Sequence, residues 1–349
     1  MKMKIYLPVL LFFLCSQSVA QPPYNMQPEF LKMNTVWVFG TKAGVDFRSG
    51  IPVAIESQHR AIEGAAAVAH PASGRLQFYS NGGTCWNAQH QPMPNGSGLL
   101  GNGGNCNNCL STRQGVCIVP VIGTPGSYYL FSLMGATNAP ATYDSGSLFY
   151  SIVNMSLDNG RGDIVPGTKN TVLSSDSLSE CMIAIPGENC DIWLLMHEME
   201  NHRFRAYHIT AGGINPNPVI SHVPTSIIGP ESFIMSELTV SSDRRKIALT
   251  SQSGNGVPLT GRGILLAEFD PATGIVSNGF NVMHTSQYGN FYPGSVSFSP
   301  DDSILYASTY DGPGKTNVIY QFDVRLYDSA TIVNSVLRVD TLSKGTPIT

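Results

Sequence analysis

Charged residues are scarce in this chain, and those present are not gathered into a basic surface. They make up 13% of the 349 residues, with 20 Lys and Arg against 24 Asp and Glu, for a formal net charge of -4. A protein that binds nucleic acid presents clustered Lys and Arg to the phosphates. The sequence has no such cluster, so nucleic acid is excluded as an expected partner.

Long apolar runs are also lacking, apart from one near the start. Residues 5–14 are apolar but too few to span a bilayer. Lys2 and Lys4 precede this run, and small residues at 18–20 follow it, which is typical of a signal peptide. We therefore predict a Sec signal peptide over residues 1–20, no transmembrane segment, and a secreted, cell-surface or periplasmic location.

Cysteines are few, but six of the seven lie beyond the predicted signal peptide. An even number in an exported chain favours disulfides, whose connectivity the sequence leaves open. A tight turn at residues 186–189 would place Cys181 more than about 10 Å from Cys190, beyond the reach of about 7 Å that a disulfide allows. The six disulfide candidates are Cys85, Cys106, Cys109, Cys117, Cys181 and Cys190.

Helical periodicity is nearly absent, whereas Gly (35) and Pro (23) are abundant, which favours short strands joined by turns. A repeat runs through the chain, with a turn followed by a largely apolar central segment, spaced by 52 to 64 residues. The central segments are residues 75–80, 127–132, 191–197, 245–251 and 303–309.

Other strands are predicted around these central segments, giving four short strands per repeat. Such a unit is typical of a β-propeller blade. We predict an all-β, WD-repeat/YVTN-like β-propeller of four-stranded antiparallel blades over residues 35–340, with seven blades, or six as the alternative. Residues 21–34 form a leader and 341–349 a tail. Strands at 36–39 and 53–55 precede the first repeat and could complete a blade begun at the C-terminus.

Several motifs resemble the N-terminal β-propeller module of large secreted Bacteroidetes proteins that carry PKD or gliding-motility-associated C-terminal domains. The resemblance covers roughly residues 35–325 and implies export, without implying a known reaction. Cys106 and Cys109 lie in an apparent insertion, which departs from that module. The motifs are residues 37–40, 43–47, 50–53, 86–87, 90–96, 98–101, 150–153, 160–163, 191–193 and 197.

Some short motifs suggest a specific chemistry, but their context favours a simpler interpretation. His197 and His202 are five residues apart, not the four of a helical zinc-protease motif, so a hairpin tip is expected. Cys106 and Cys109 have redox spacing but lie in a Gly/Asn loop. The Arg-Gly-Asp sequence at 161–163 fits a glycine-rich turn. We predict no metal site and no cofactor.

The three tryptophans could form platforms for sugars. Trp193 lies in a central strand and is expected in the core, whereas Trp37 and Trp86 adjoin loops, so their role stays open. The sequence contains no Gly-x-Ser-x-Gly nucleophile motif.

Two functions from different classes remain. We predict a non-enzymatic module whose loop face binds a protein or glycan, because the scaffold is complete and no local catalytic motif is recognised. The alternative is a hydrolase or lyase whose residues converge from several blades on the central channel. Convergence of three candidates on one pocket would favour the alternative. The candidates are His70, His90, His197, Glu198, Glu231 and Glu237.

Overall fold

A computed structural model describes residues 28–101, 112–135, 146–199, 201–223, 235–252, 262–284, 291–310 and 317–342. These residues form 25 strands in six antiparallel sheets, which we number 1 to 6 in chain order. The structure confirms the predicted all-β propeller. Its short helices are α1 (Pro28–Met33), α2 (Leu157–Gly160) and α3 (Ser329–Asn334).

The first three sheets use the N-terminal half of the chain. Sheet 1 contains β1 (Val36–Phe39), β2 (Thr41–Asp46) and β3 (Val53–Arg60). Sheet 2 contains β4 (Ala66–Ala69), β5 (Leu76–Ser80), β6 (Thr84–Asn87) and β7 (Pro92–Ser97). Sheet 3 contains β8 (Val116–Pro120), β9 (Ser127–Leu133), β10 (Leu148–Asn154), β11 (Asp163–Ile164) and β12 (Thr171–Ser174).

The other three sheets follow the same pattern. Sheet 4 contains β13 (Leu178–Pro186), β14 (Ile192–Glu198), β15 (Arg203–Thr210), β16 (Gly213–Ile214) and β17 (Val219–His222). Sheet 5 contains β18 (Met235–Val240), β19 (Lys246–Gln252), β20 (Gly263–Asp270) and β21 (Ile275–His284). Sheet 6 contains β22 (Tyr292–Phe298), β23 (Ile304–Tyr310), β24 (Asn317–Asp323) and β25 (Leu337–Leu342).

The five predicted central segments are the second strands of sheets 2 to 6: β5, β9, β14, β19 and β23. Tight turns precede them, as predicted. Before β19, Arg244 donates its backbone N–H to the Ser241 carbonyl, and before β23 Asp302 does the same to Ser299. The hydroxyls of Ser241 and Ser299 also bond the Asp two residues on, which fixes each turn.

Apolar contacts between neighbouring sheets hold the propeller together. Five buried clusters follow the chain, one between each pair of consecutive sheets from 1–2 to 5–6. The cluster between sheets 4 and 5 includes Trp193, Leu249 and Leu265, all at most 3% exposed. Central strands therefore need apolar residues on both faces, because a sheet covers each of them.

Sheet 1 differs from the prediction for the N-terminal strands. β1 and β3 both pair with β2, whereas β25 completes sheet 6 by pairing with β24. Within the described ranges the N-terminal strands thus form a sheet of their own. The total number of blades, seven or six, stays a prediction.

The four cysteines that the structure describes carry free thiols, which corrects the disulfide prediction for them. Cys85 and Cys181 are fully buried in the sheet cores, Cys85 with its sulfur 3.5 Å from that of Met93. Cys190 is exposed in the β13–β14 turn, where the pairing of Pro186 with Ile192 places Cys181 far down its strand. Cys106 and Cys109 lie outside the described residues.

The predicted signal peptide, half of the leader and most of the tail also lie outside the described residues, so the domain limits and export stay predictions. Across the residues that the structure describes, none of the helices has the length and apolarity needed to cross a membrane.

Candidate functional site

A cavity of about 1140 Å³ opens at the end of the propeller where the innermost strands begin. Its wall comes from sheets 1, 5 and 6 and from the segments that lead into β4 and β8. The polar side chains among its lining residues are Thr41, His59, Arg60, Glu63, Arg113, Gln114, Glu237, Ser295, Ser308, Thr309, Tyr310 and Asn317. Residues distant in sequence meet here because the cavity is lined by the segments before β4 and β8, by parts of β18 and β22, and by the ends of β1, β3 and β23.

An ion pair crosses one side of the cavity. Glu63 lies in the connection between β3 and β4, and Arg113 lies just before β8. Their atoms Oε1 and Nε are 3.6 Å apart, and both side chains are partly exposed to the cavity. The Arg113 guanidinium also donates to the Gly294 carbonyl, at 3.2 Å. The pair therefore fixes a carboxylate at the mouth of the channel.

A bulge in β22 shapes the wall next to this arginine. The register of β22 against β23 shifts between Pro293 and Val296, and the Ser295 backbone N–H donates to the Ser308 hydroxyl at 2.8 Å. A Cβ on Gly294 would lie 2.5 Å from that hydroxyl oxygen. A larger residue at position 294 would therefore displace the Ser308 hydroxyl from this bulge, a feature that often re-aims groups near functional sites.

The side chain of Gln114 joins the inner edges of two other sheets. Its Oε1 accepts from the Met182 N–H at 3.3 Å and from the Leu238 N–H at 2.9 Å, and its Nε2 donates to the Leu238 carbonyl at 2.9 Å. It therefore pairs with the edge of β18 much as a further strand would, beside Glu237.

Glu237 is the carboxyl group that the cavity buries most. Burial raises its pKa above the ordinary value, and the charge of Glu63 adds to the rise. Hydrogen bonds from the Ser295 hydroxyl and the Val296 backbone, and the positive charge of Arg113, oppose it in part. The cavity thus contains two carboxyl groups in different environments, of which Glu237 holds its proton more tightly than a free glutamate.

His59 forms part of the opposite wall, fully buried at the end of β3. Its Nδ1 lies 3.0 Å from the Gly40 carbonyl, and since a carbonyl can only accept, Nδ1 carries the hydrogen. Nε2 makes no hydrogen bond of standard geometry within the described residues. Burial lowers the pKa of His59, although the backbone of Gly40 and Gly64 opposes the shift. A neutral imidazole therefore lines the cavity.

The six candidates from sequence do not converge on this cavity. Glu237 lines it, and Glu231 lies outside the described residues. His70 is exposed in the turn before β5, and His90 caps the β6–β7 turn with Nδ1 3.1 Å from the Tyr79 hydroxyl. Of the candidates that the structure describes, Glu237 alone lines the cavity, whereas His70, His90, His197 and Glu198 occupy turns and sheet ends, so the candidate set stays a prediction.

His197 and Glu198 end β14, and β15 begins at Arg203, as expected for a hairpin. Burial lowers the pKa of His197 to about 3, and its ring packs edge-on against Phe204. Glu198 accepts charged hydrogen bonds from Arg203 and Arg205. In the described parts of the chain, no group of three or more His, Cys, Asp or Glu side chains is arranged to hold a metal ion.

The Arg-Gly-Asp sequence is built into the fold. Asp163 is 7% exposed and accepts two hydrogen bonds from Asn95, while Arg161 pairs with Asp158. The carboxylate of Asp163 therefore has its hydrogen-bonding partners within the protein.

The three tryptophans differ in exposure, and the prediction made for Trp193 is confirmed. Trp193 is 3% exposed, as expected for core, and Trp86 is 8% exposed. Trp37 is 56% exposed.

Comparison with known proteins gives similarity at the level of the fold. No protein-family model matches the chain, and no curated protein sequence matches it. Similar solved structures include a putative 6-phosphogluconolactonase from Bacteroides fragilis, 13% identical over 86% of this chain and 92% of that one, with a TM-score of 0.41. A luciferin-regenerating enzyme is 11% identical over 88% and 74% of the two chains, with a TM-score of 0.38. A GH43 β1,3-galactosidase is 9% identical over 82% and 92%, with a TM-score of 0.36.

All three are named as enzymes, so the comparisons do not support the prediction of a non-enzymatic binding module. Because identities and TM-scores are low, the likeness concerns the fold alone, and any reaction has to be argued from this chain's own residues.

Sequence reasoning missed Glu63, Arg113, Gln114 and His59. The sequence does contain a pattern that points to them, because polar residues recur near the start of the first strand of sheets 2 to 6. Within three residues of the starts of β4, β8, β13, β18 and β22 lie Glu63, Arg113, Glu180, Glu237 and Ser295, the first two before their strands and the other three inside them.

Proposed function

We propose that this protein is a hydrolase that cleaves a C–O bond in the cavity at the channel mouth. The observation that carries the proposal is a pair of carboxyl groups in different environments. Burial raises the pKa of Glu237. The carboxylate of Glu63 instead forms an ion pair with Arg113, with Oε1 and Nε 3.6 Å apart. Two carboxyl groups in such different environments are suited to act as acid and base in one reaction.

In this mechanism Glu237 donates its proton to the leaving oxygen as the C–O bond breaks. Glu63 accepts a proton from the attacking water, and the resulting hydroxyl bonds to the carbon. Proton exchange with solvent then returns both groups to their starting forms, so water is the sole co-reactant. Arg113 orients Glu63 and stabilises its charge, and the bulge at Gly294 holds Arg113 in place.

The sign of the pH dependence follows from these roles. Glu237 has to be protonated, so activity falls as the pH rises through its raised pKa. The alkaline limb of the pH–activity profile therefore belongs to Glu237.

The test is hydrolysis of a panel of chromogenic esters, lactones and glycosides by the full chain. Glu237→Gln should lower kcat at least about 100-fold, because positioned acids and bases contribute roughly 10²–10⁴. Glu63→Gln should do the same. Glu188→Gln, at an exposed position in the β13–β14 turn, is the matched control and should leave turnover unchanged. Absence of hydrolysis across the panel, or full activity of Glu237→Gln, would refute the proposal.

A further inference from the structure

Sheet 1 presents an aromatic surface that the buried core does not use. Side chains alternate along β1, so that Val36 and Val38 are buried towards sheet 2 while Trp37 and Phe39 are exposed on the other face. Trp37 is 56% exposed and Phe39 is 44% exposed. We call these two side chains the aromatic strip.

The aromatic strip is continuous with the cavity. Phe39 lines the cavity, and Trp37 lies two residues earlier on the same face of the same strand. At about 3.3 Å rise per residue, the two side chains are about 7 Å apart along the strand. The strip thus continues from the cavity wall onto the exposed face of sheet 1.

The Trp37 ring is held in position before any ligand binds. Its Nε1–H donates to the Asn34 carbonyl at 2.9 Å, and the Phe47 ring packs beside it with centroids 5.0 Å apart at 60°. The polar edge of the indole is therefore satisfied inside the protein, and what remains exposed is mainly ring surface. A preorganised ring loses little side-chain entropy on binding.

We propose that the aromatic strip binds a saccharide chain whose next unit enters the cavity. This inference rests on the proposed hydrolase and names its substrate class. The C–H groups on one face of a pyranose carry partial positive charge and are attracted to the negative face of an aromatic ring. The hydroxyls at its edge need hydrogen-bonding partners, which the cavity supplies in Ser295, Ser308 and the carboxyl groups.

The proposal can be tested by fluorescence, because Trp37 is the one exposed tryptophan of three. Trp86 and Trp193 are at most 8% exposed. Pentasaccharides of glucose, xylose, mannose and galactose are titrated into full-length Glu237→Gln protein, with acrylamide quenching measured in parallel. At least one should shift the emission and protect Trp37 from the quencher.

Trp37→Ala should weaken binding of that saccharide at least tenfold by calorimetry, and Trp37→Phe, which keeps a ring, should weaken it less. Ile275→Ala, which removes another exposed apolar side chain on sheet 5, is the matched control and should bind normally. Because binding is measured in a variant without turnover, failure of the hydrolase proposal remains distinguishable: binding without hydrolysis by the unaltered protein would refute the reaction alone.

Three results would overturn the saccharide proposal. They are no response to any pentasaccharide, unchanged affinity in Trp37→Ala, and burial of Trp37 by a second copy of the chain. Sedimentation at several protein concentrations detects the last of these.

Discussion

Trp193 and Trp37 both lie on β-strands of the same propeller, but they occupy opposite environments. Trp193 lies between sheets 4 and 5, donates its Nε1–H to the Pro271 carbonyl at 2.9 Å and stacks on His208 with centroids 4.1 Å apart. Gly274 packs so closely that a Cβ there would lie 2.6 Å from the ring. Trp37 lies on the face of sheet 1 turned away from sheet 2 and is mostly exposed.

The difference follows from how many neighbours a sheet has. Sheets 2 to 5 have a buried apolar cluster on each face, whereas the described residues form no such cluster between sheet 6 and sheet 1. Many of the exposed large apolar side chains belong to sheets 1 and 6, among them Trp37, Phe39, Val53, Leu337 and Val339. The middle sheets thus supply stability, and the terminal sheets leave apolar surface for other uses.

The largest expected contrast is between the two tryptophans themselves. Trp193→Ala should lower the free energy of unfolding by about 3–5 kcal/mol, the usual cost of removing a buried aromatic side chain. Trp37→Ala should change it by less than about 1 kcal/mol, since surface substitutions have small effects. Urea denaturation measures both, and equal losses would contradict the division between middle and terminal sheets.

A second contrast concerns acid. Burial lowers the pKa of His197 to about 3, so the folded protein favours its neutral form. That contribution to stability is complete above the unfolded pKa near 6.5 and is lost as the pH falls towards 3. His197 should account for a loss of about 2–3 kcal/mol between pH 7 and pH 4.

His197→Gln should remove this part of the pH dependence, although it also lowers stability at neutral pH. His70→Gln, at an exposed turn, should leave the pH dependence as it is. Denaturation midpoints at several pH values give the comparison, and a profile unchanged by His197→Gln would refute it.

A third prediction tests a tie between sheets 5 and 6. Asp302 is 9% exposed and accepts from the backbone N–H groups of Ser242 and Asp243 and from the Ser242 hydroxyl. Asp302→Asn tolerates the positive φ of 56° at this position, but it cannot accept all three bonds equally well. It should cost about 1–2 kcal/mol.

The matched control for this tie is Asp46→Asn in sheet 1, where the carboxylate pairs with the exposed Arg48. That change should cost less than about 0.5 kcal/mol. If Asp46→Asn lowers the free energy of unfolding more than Asp302→Asn does, the hydrogen bonds of Asp302 between sheets 5 and 6 are not an important source of stability.

The smallest expected effect is an increase in stability on replacement of Glu237 by glutamine. The raised pKa of Glu237 means that its charged form is disfavoured in the fold, so its contribution is complete below the unfolded pKa and is lost as the pH rises through the folded one. Glu237→Gln should therefore stabilise the protein slightly at pH 8. The difference should shrink below pH 4.5. A destabilising effect at pH 8 would indicate that the carboxylate is well paired.

The repeats were predictable from sequence because each sheet is built from local signals. Turn residues such as Ser299 and Asp301, followed by an apolar segment, specify a hairpin wherever they occur. The sheets follow one another in chain order, so the regular spacing of the repeats along the sequence was enough to predict a propeller.

The candidate site was less predictable, because Glu63, Arg113 and Glu237 are separated by 50 residues or more and lie at strand starts or in connections with no periodic pattern. The fold brings them together, and aligning the strand starts would not have matched them, because Glu63 and Arg113 precede their strands whereas Glu237 lies inside β18. The disulfide prediction is wrong for the four described cysteines for a related reason. Cys85 and Cys181 fill core positions of separate sheets, and a count of cysteines carries no information on distance.

Gln114 also has a consequence for how the propeller opens. One amide side chain secures the backbone of β13 at Met182 and of β18 at Leu238, so neither amide hydrogen can reach solvent through independent fraying. Hydrogen exchange at these two positions should be released together when Gln114 is replaced by alanine, while exchange at Val38 in sheet 1 stays as it was. The centre of this β-propeller would then behave dynamically as a single block, despite the separate sheets from which it is made.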